Sequence, residues 1–169
     1  MLEKKKIECI DGNTVMLAPA GTGHNSIGGN LYRIISNFLR KKRCKVFYET
    51  KVVLDESNRL IPDLIVVCDQ DKIKENYVEG APDFVVEILS PSTRKRDLSA
   101  KRDIYERFGV KEYWIIDPLY RSILVYRFDN PEHPSFHTYS FEDTIPVGIS
   151  DNDCVVDFKV ISDNLRFAE

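Results

Sequence analysis

Three ionisable residues occupy positions where ionisable residues are expensive. Glu87 interrupts the apolar run Phe84, Val85, Val86, Ile88, Leu89, a pattern that reads as a strand covered on both faces. Lys101 falls between Leu98 and Tyr105, on what should be the inward stripe of the next helix. Asp63 opens another apolar strand, Leu64 to Cys68, 24 residues before Glu87, and pairing of the two strands would bring the carboxylates together. Isolated buried charge is costly, so inward charges of both signs on adjacent elements point to a site. Two carboxylates at one point repel, and a divalent cation lets both ionise. Mg2+ takes one or two protein carboxylates, keeps several waters and accepts phosphate oxygens; Mn2+ suits the same oxygen donors. The chemistry that fits is phosphodiester hydrolysis by metal-activated water, with Lys101 orienting that water and stabilising developing negative charge.

Each residue also has a plainer reading. Asp63, after Pro62, could serve strand entry; Glu87 could be a structural ion-pair partner; Lys101 could snorkel outward from an apolar stem. The three together fit one site better than any fits alone. Asp83, in a second Pro-Asp pair, shares the face of Glu87 but lies roughly 13 Å along the strand, too far for a common metal.

The elements that must position these residues follow from patterning. Asp11-Gly12 lies between two short β-like runs in Ile7 to Ala18, a hairpin signal. From Asn25 or Ser26, both good caps, apolar residues at Ile27, Leu31, Ile34, Ile35, Phe38 and Leu39 trace a helix ending near Lys42. Gly28 and Gly29 inside it each cost about 1 kcal/mol relative to Ala, which points to close packing or to the close approach of a ligand. Cys44 to Leu54 reads as one or two strands with Glu49 in the middle. Asp83 to Leu89, Asp97 to Phe108 and Tyr113 to Ile116 form a strand, helix, strand unit, hence a parallel pair at the sheet centre. Gly109 sits where a helix-terminating glycine belongs. Ser122 to Phe128, Phe136 to Tyr139 and Cys154 to Val160 read as strands of an antiparallel extension. Trp114, Tyr113 and Phe108 are assigned to core packing.

At 169 residues, 43% apolar and 30% charged, the chain fits one globular domain, residues 1–169. No apolar run approaches the roughly 20 residues of a membrane helix, and MLEKKKIECIDG lacks the apolar region of a secretory signal, so a cytoplasmic protein without membrane contact is expected. Cys9, Cys44, Cys68 and Cys154 show no CxxC or Cys/His spacing and read as reduced core thiols. A net charge of −3 argues against a globally basic nucleic-acid binder, although Arg40 to Lys45 and Arg94, Lys95, Arg96 are local basic clusters. The first reads as complementing a helix C-terminus. The second, beside Ser90, Ser92 and Thr93, is the candidate phosphate contact.

Pro62-Asp63, Glu87 in VVEILSPST, Asp97, Lys101 and Tyr105 in DLSAKRDIY, and GVKEYWIIDP together resemble the Uma family of candidate restriction endonucleases, a bacterial branch of the PD-(D/E)XK nuclease superfamily. The likeness covers nearly the whole chain, since IECIDG and the His24 helix also resemble that family's N-terminal pattern. It implies an α+β restriction-endonuclease-like core with a central mixed sheet flanked by helices, Asp63 and Glu87 as metal ligands, and Lys101 as the catalytic lysine. In the superfamily that lysine stands two residues after the glutamate; here Leu89 has that place, and the resemblance implies that Lys101 fills the same space from the next helix. It also implies accessory roles for His24 at the edge of the site, for Glu8 as a third carboxylate and for Tyr105; Glu49, by its place on a central strand, is a further candidate carboxylate. The function expected is a Mg2+-dependent endonuclease, acting on nucleic acid and on DNA in particular, with a homodimer as the natural way to cut two strands. The alternatives are a nuclease fold that binds nucleic acid without cleaving it, and a protein-interaction module.

Overall fold

A computed structural model describes residues 6–130, 132 and 134–163 of the chain; part of the charged N-terminal segment read above therefore lies outside the described residues. β1 (Ile7–Ile10) and β2 (Asn13–Met16) form the expected hairpin. Its turn residues Asp11 and Gly12 have φ of 46° and 79°, the positive values that a right-twisted two-residue turn demands.

Helix α1 (Thr22–Leu39) carries the apolar stripe, with Ile27, Leu31, Ile35 and Leu39 buried. It begins earlier than the Asn25 or Ser26 caps indicate: Gly21 takes the capping position with no side-chain cap. His24 therefore stands in the first turn of the helix instead of preceding it. The basic residues from Arg40 onward lie beyond its last turn.

β3 (Lys45–Tyr48), β4 (Val52–Val53), β5 (Arg59–Leu60), β6 (Leu64–Val67), β7 (Val78–Glu79) and β8 (Phe84–Ile88) come next. α2 (Arg94–Leu98), α3 (Ala100–Arg107), β9 (Glu112–Asp117), β10 (Ser122–Arg127) and β11 (Ser135–Ser140) follow. The chain continues through β12 (Thr144–Val147) and β13 (Cys154–Asp157) to α4 (Phe158–Asp163). The segment expected as one helix from Asp97 to Phe108 is two, because Ser99 leaves the helical region at φ −129°, ψ −84°. Cys154 to Val160 is strand only to Asp157. That strand pairs with β12 in a separate two-stranded sheet and does not extend the main one.

The main sheet has the order β11-β10-β9-β8-β6-β3, with β8 and β9 parallel and the other pairs antiparallel. It is a mixed sheet whose antiparallel extension is β10 and β11. A smaller sheet, β2-β1-β5-β4-β7, lies beside it. Alternation gives the central strands two different faces. Leu64, Val66, Val86, Ile88, Trp114 and Ile116 pack with α1 and α4. Ile65, Val67, Val85, Tyr113 and Ile115 pack with α3 and the smaller sheet. Among the described residues no helix is long and apolar enough to cross a membrane.

Cys44 and Cys68 form a disulfide, correcting the reading of four reduced thiols. The register that sets Lys45 opposite Val67 sets these cysteines opposite each other one step further, which their sequence separation hides. Such bridges are uncommon in a reducing cytoplasm. Cys9 and Cys154 are free.

Of the two helix glycines, Gly29 faces open space, whereas a Cβ on Gly28 would come within 2.7 Å of the Tyr48 ring. Close packing of α1 on β3 explains Gly28 and not Gly29. Gly28→Ala should therefore couple to Tyr48. In wild type the clash, typically about 1–3 kcal/mol, should outweigh the roughly 1 kcal/mol of helix propensity gained, and in a Tyr48→Ala background the same change should stabilise. Urea unfolding of the four-member cycle measures this, and additive effects would contradict the packing.

Candidate active site

β6 and β8 pair with Leu64 opposite Val86 and Ile65 opposite Val85. Continuing that register by one residue places Asp63 opposite Glu87 on the face that looks toward α3. The Asp63 side chain closes the end of the ladder itself: Oδ2 accepts the Ile88 backbone N–H at 2.6 Å. Glu87 is 3% exposed. Its Oε1 accepts from Lys101 Nζ and from the Tyr105 hydroxyl, each at 2.9 Å, leaving Oε2 for the cleft.

Lys101 does not snorkel. Its ammonium is buried, 2.9 Å from Glu8 Oε1, 2.9 Å from Glu87 Oε1 and 3.4 Å from Asp97 Oδ1. The ammonium hydrogen-bonds Glu87 and ion-pairs with Glu8 and Asp97, and Asp97 Oδ1 has no hydrogen-bond partner among the described residues. Glu8, fully buried in β1, also accepts the Ile61 backbone N–H at 2.8 Å, while its Oε2 is buried without a hydrogen-bond partner among the described residues. One ammonium among three carboxylates leaves the cluster short of positive charge. Burial pushes the Glu87 carboxyl well above its ordinary range; Lys101 pulls it back, while the charges of Asp97, Asp63 and Glu8 add to the rise. Asp97 is raised as well, by burial first, against the pull of Lys101 and of the Thr93 hydroxyl. Burial alone would lower Lys101, but its carboxylate neighbours overcome that and hold it charged, above its usual value.

His24 Nε2 lies 3.2 Å from Asp63 Oδ1. Burial disfavours the imidazolium, yet the hydrogen bond and charge of Asp63, with Glu49 and the Ile88 backbone, raise its pKa on balance. These groups open on a cleft of about 310 Å3, lined also by Ala18 to Gly21, Ser90 to Thr93 and the Lys6–Glu49 ion pair. The uncapped N-terminus of α1 reaches the same cleft.

The structure thus brings Asp63, Glu87, Lys101, Tyr105 and His24 together. Glu8 joins through Lys101 from beneath the cleft and does not line it. Glu49 stands at the cleft wall, with φ of 45°, paired with Lys6. The basic trio lies outside the cleft lining, and Arg94 is occupied by Asp117 at 2.6 Å and by the Tyr120 ring. Asp83 accepts the Cys68 N–H and pairs with Lys111, remote from the site as strand geometry requires. Asp97, 1% exposed, was recognised only as part of a motif. Its place four residues before Lys101, with Tyr105 four after, is the helical spacing that could have marked it as a partner.

The fold is shared with a solved structure from Anabaena variabilis described as "a putative nuclease belonging to DUF820". The two superpose with a TM-score of 0.81 at 20% identity, over 96% of this chain and 92% of that one. The chain belongs to the Uma2 family, described as "Putative restriction endonuclease", whose model matches residues 1–153. Two Synechocystis proteins are similar. The uncharacterised slr1290 is 29% identical over 61% of this chain and 55% of its own length. The uncharacterised sll1609 is 26% identical over 67% of each. The match to slr1290 thus spans about half of that protein.

Removing the shared cation should expose the charge imbalance. In metal-free buffer Lys101→Met should lose about 3–5 kcal/mol of stability, the range for breaking a buried pair. The loss should also grow with pH. Without the ammonium, carboxyl groups already raised above the ordinary 4.5 of Glu87 rise further. Stability present below about pH 4.5 is then lost as pH climbs toward the folded-state value, because the folded state binds more protons than the unfolded one. Denaturant unfolding near pH 5.5 and near pH 8 measures the difference, and a pH-independent penalty would contradict it.

Proposed function

We propose that this chain is a nuclease that hydrolyses phosphodiester bonds, with DNA as substrate and a divalent cation, Mg2+ or Mn2+, held by Asp63 and Glu87. The observation that carries this reading is the meeting of those two carboxylates at the floor of an open cleft, above a buried cluster short of positive charge. Membership of a restriction-endonuclease family supports it.

The donors fit the ion. Both are hard oxygens, Asp63 just before β6 and Glu87 within β8, and burial holds Glu87 above the ordinary carboxylate range. Among the described residues no group of three or more His, Cys, Asp or Glu is arranged to hold a metal; an ion that takes one or two carboxylates and completes its shell with water and phosphate oxygens needs no such group. When bound, the cation would lower the pKa of a water and offset charge on the phosphate.

The chain's own residues supply position. Lys101 and Tyr105 fix one oxygen of Glu87, so its other oxygen is presented to the cleft in one orientation. The Ile88 N–H fixes Asp63, and His24, whose protonation Asp63 favours, sets its imidazole beside the place a phosphate would occupy. Lys101 is buried and ion-paired with three carboxylates, so its part is to orient and charge-balance Glu87. Cutting both strands of a duplex would take two such sites, and a homodimer supplies them. A cytoplasmic enzyme would meet this substrate.

Purified protein should cut DNA with Mg2+ or Mn2+ and not with EDTA. Asp63→Asn and Glu87→Gln should each reduce cleavage at least roughly a hundredfold, the upper end for disturbed metal-site partners, while circular dichroism shows them folded. Unchanged cleavage in both variants would remove the proposal. Metal-independent DNA binding with no cleavage would favour the non-cutting alternative instead.

A further inference from the structure

A second cleft, of about 400 Å3, adjoins the first and shares with it Lys6, Glu49 and Ile61. The partition between them is the Lys6–Glu49 ion pair, partly exposed and so weak in water. Glu49, its wall residue, holds a positive φ that a non-glycine residue seldom adopts. The far wall is the turn from Lys74 to Tyr77. It is fixed by the Lys74 N–H donating to the Tyr77 carbonyl at 2.9 Å and by the Val78 N–H donating to the Lys51 carbonyl at 2.8 Å.

That wall carries three groups with no partner among the described residues: the Lys51 ammonium, the Asn76 carboxamide and the Tyr77 hydroxyl. They are held beside one another, because Val52 of β4 pairs in parallel with Val78 of β7. A cation, a planar amide and an aromatic ring are the groups that take up a phosphate, a base edge and a base face. We infer that this second cleft is a nucleotide subsite, holding a nucleotide of the same strand next to the phosphodiester bound between Asp63 and Glu87. The inference rests on the nuclease reading. It adds the path of the strand: from the first cleft over the Lys6–Glu49 partition to the Lys51 and Tyr77 wall. A single strand or a frayed end suits this path, since a base must be free of its stack to lie on Tyr77.

The test uses the full chain in EDTA, with fluorescence anisotropy of short labelled single-stranded DNA and RNA oligonucleotides. The two sugars form separate arms that tell which polymer is preferred. Tyr77→Leu, which keeps apolar volume, should weaken binding about tenfold, the order expected for one lost stacking contact. Lys51→Gln, an exposed change that does not endanger folding, should weaken it and lower the slope of log affinity against log salt by about one. Hydrolysis of bis(p-nitrophenyl) phosphate with Mn2+ reads the first cleft alone and should be the same in both variants as in wild type. Oligonucleotide affinity equal to wild type in both variants, or no binding by wild type, overturns the subsite even where the small diester is hydrolysed. Binding that weakens as stated while the diester is never hydrolysed upholds the subsite and removes the metal-centre reading instead.

Discussion

The ammonium of Lys101 and the carboxylates around it are the constraint on which the rest depends. They draw together β1 through Glu8, β8 through Glu87, and α2 and α3 through Asp97 and Lys101 itself. None of these groups is more than 3% exposed. Each is tolerable only while the others are in place, so the N-terminal hairpin, the sheet centre and the crossover helices assemble together. A buried ion pair contributes little net stability compared with apolar packing, and loss of one partner costs much more. The cluster is therefore better understood as fixing the position of Glu87 than as strengthening the fold.

A second buried carboxylate shows the contrast. Glu112, 1% exposed, accepts from Trp114 Nε1 at 2.7 Å and from the Ile149 N–H at 3.1 Å, with Arg127 nearby. Gly148 lies so close that a Cβ there would stand 2.8 Å from Glu112 Oε2. Neutral donors and Arg127 together satisfy this glutamate, and it ties the segment after β12 to the main sheet. Burial raises its pKa as it does that of Glu87, opposed here first by the Trp114 hydrogen bond and there by the charge of Lys101. Perturbation alone does not separate the two. Glu87 shares its cluster with several like charges and lines a cleft with Asp63, which Glu112 does not.

Much of this was legible in the sequence because burial of charge contradicts apolar patterning locally. Glu87 within a continuous apolar strand, Lys101 on an apolar stripe and Asp63 at a strand start each announced themselves within a few residues. The family resemblance joined them, and the mixed sheet with its parallel centre followed from the order of elements. What was not legible depends on long-range register. Glu8 and Lys101 are distant in sequence and meet only because the small sheet folds against α3. Cys44 and Cys68 pair because β3 and β6 are antiparallel. The break at Ser99 and the turn of Phe158–Asp163 into helix are tertiary choices made against weak local preference. The early start of α1 at Gly21, a cap with no side-chain hydrogen bond, was hidden by the stronger caps Asn25 and Ser26, and it lies at the cleft.

Calorimetric titration of Mn2+ into the wild-type protein and into Asp63→Asn and Glu87→Gln tests the central claim most directly, because it asks for the metal site without asking for a substrate. The account predicts binding by wild type that each substitution abolishes or weakens at least roughly tenfold, the lower end for altered metal-site partners, with all three proteins folded. Binding of equal strength in the variants, or none by wild type with or without bound DNA, would contradict it.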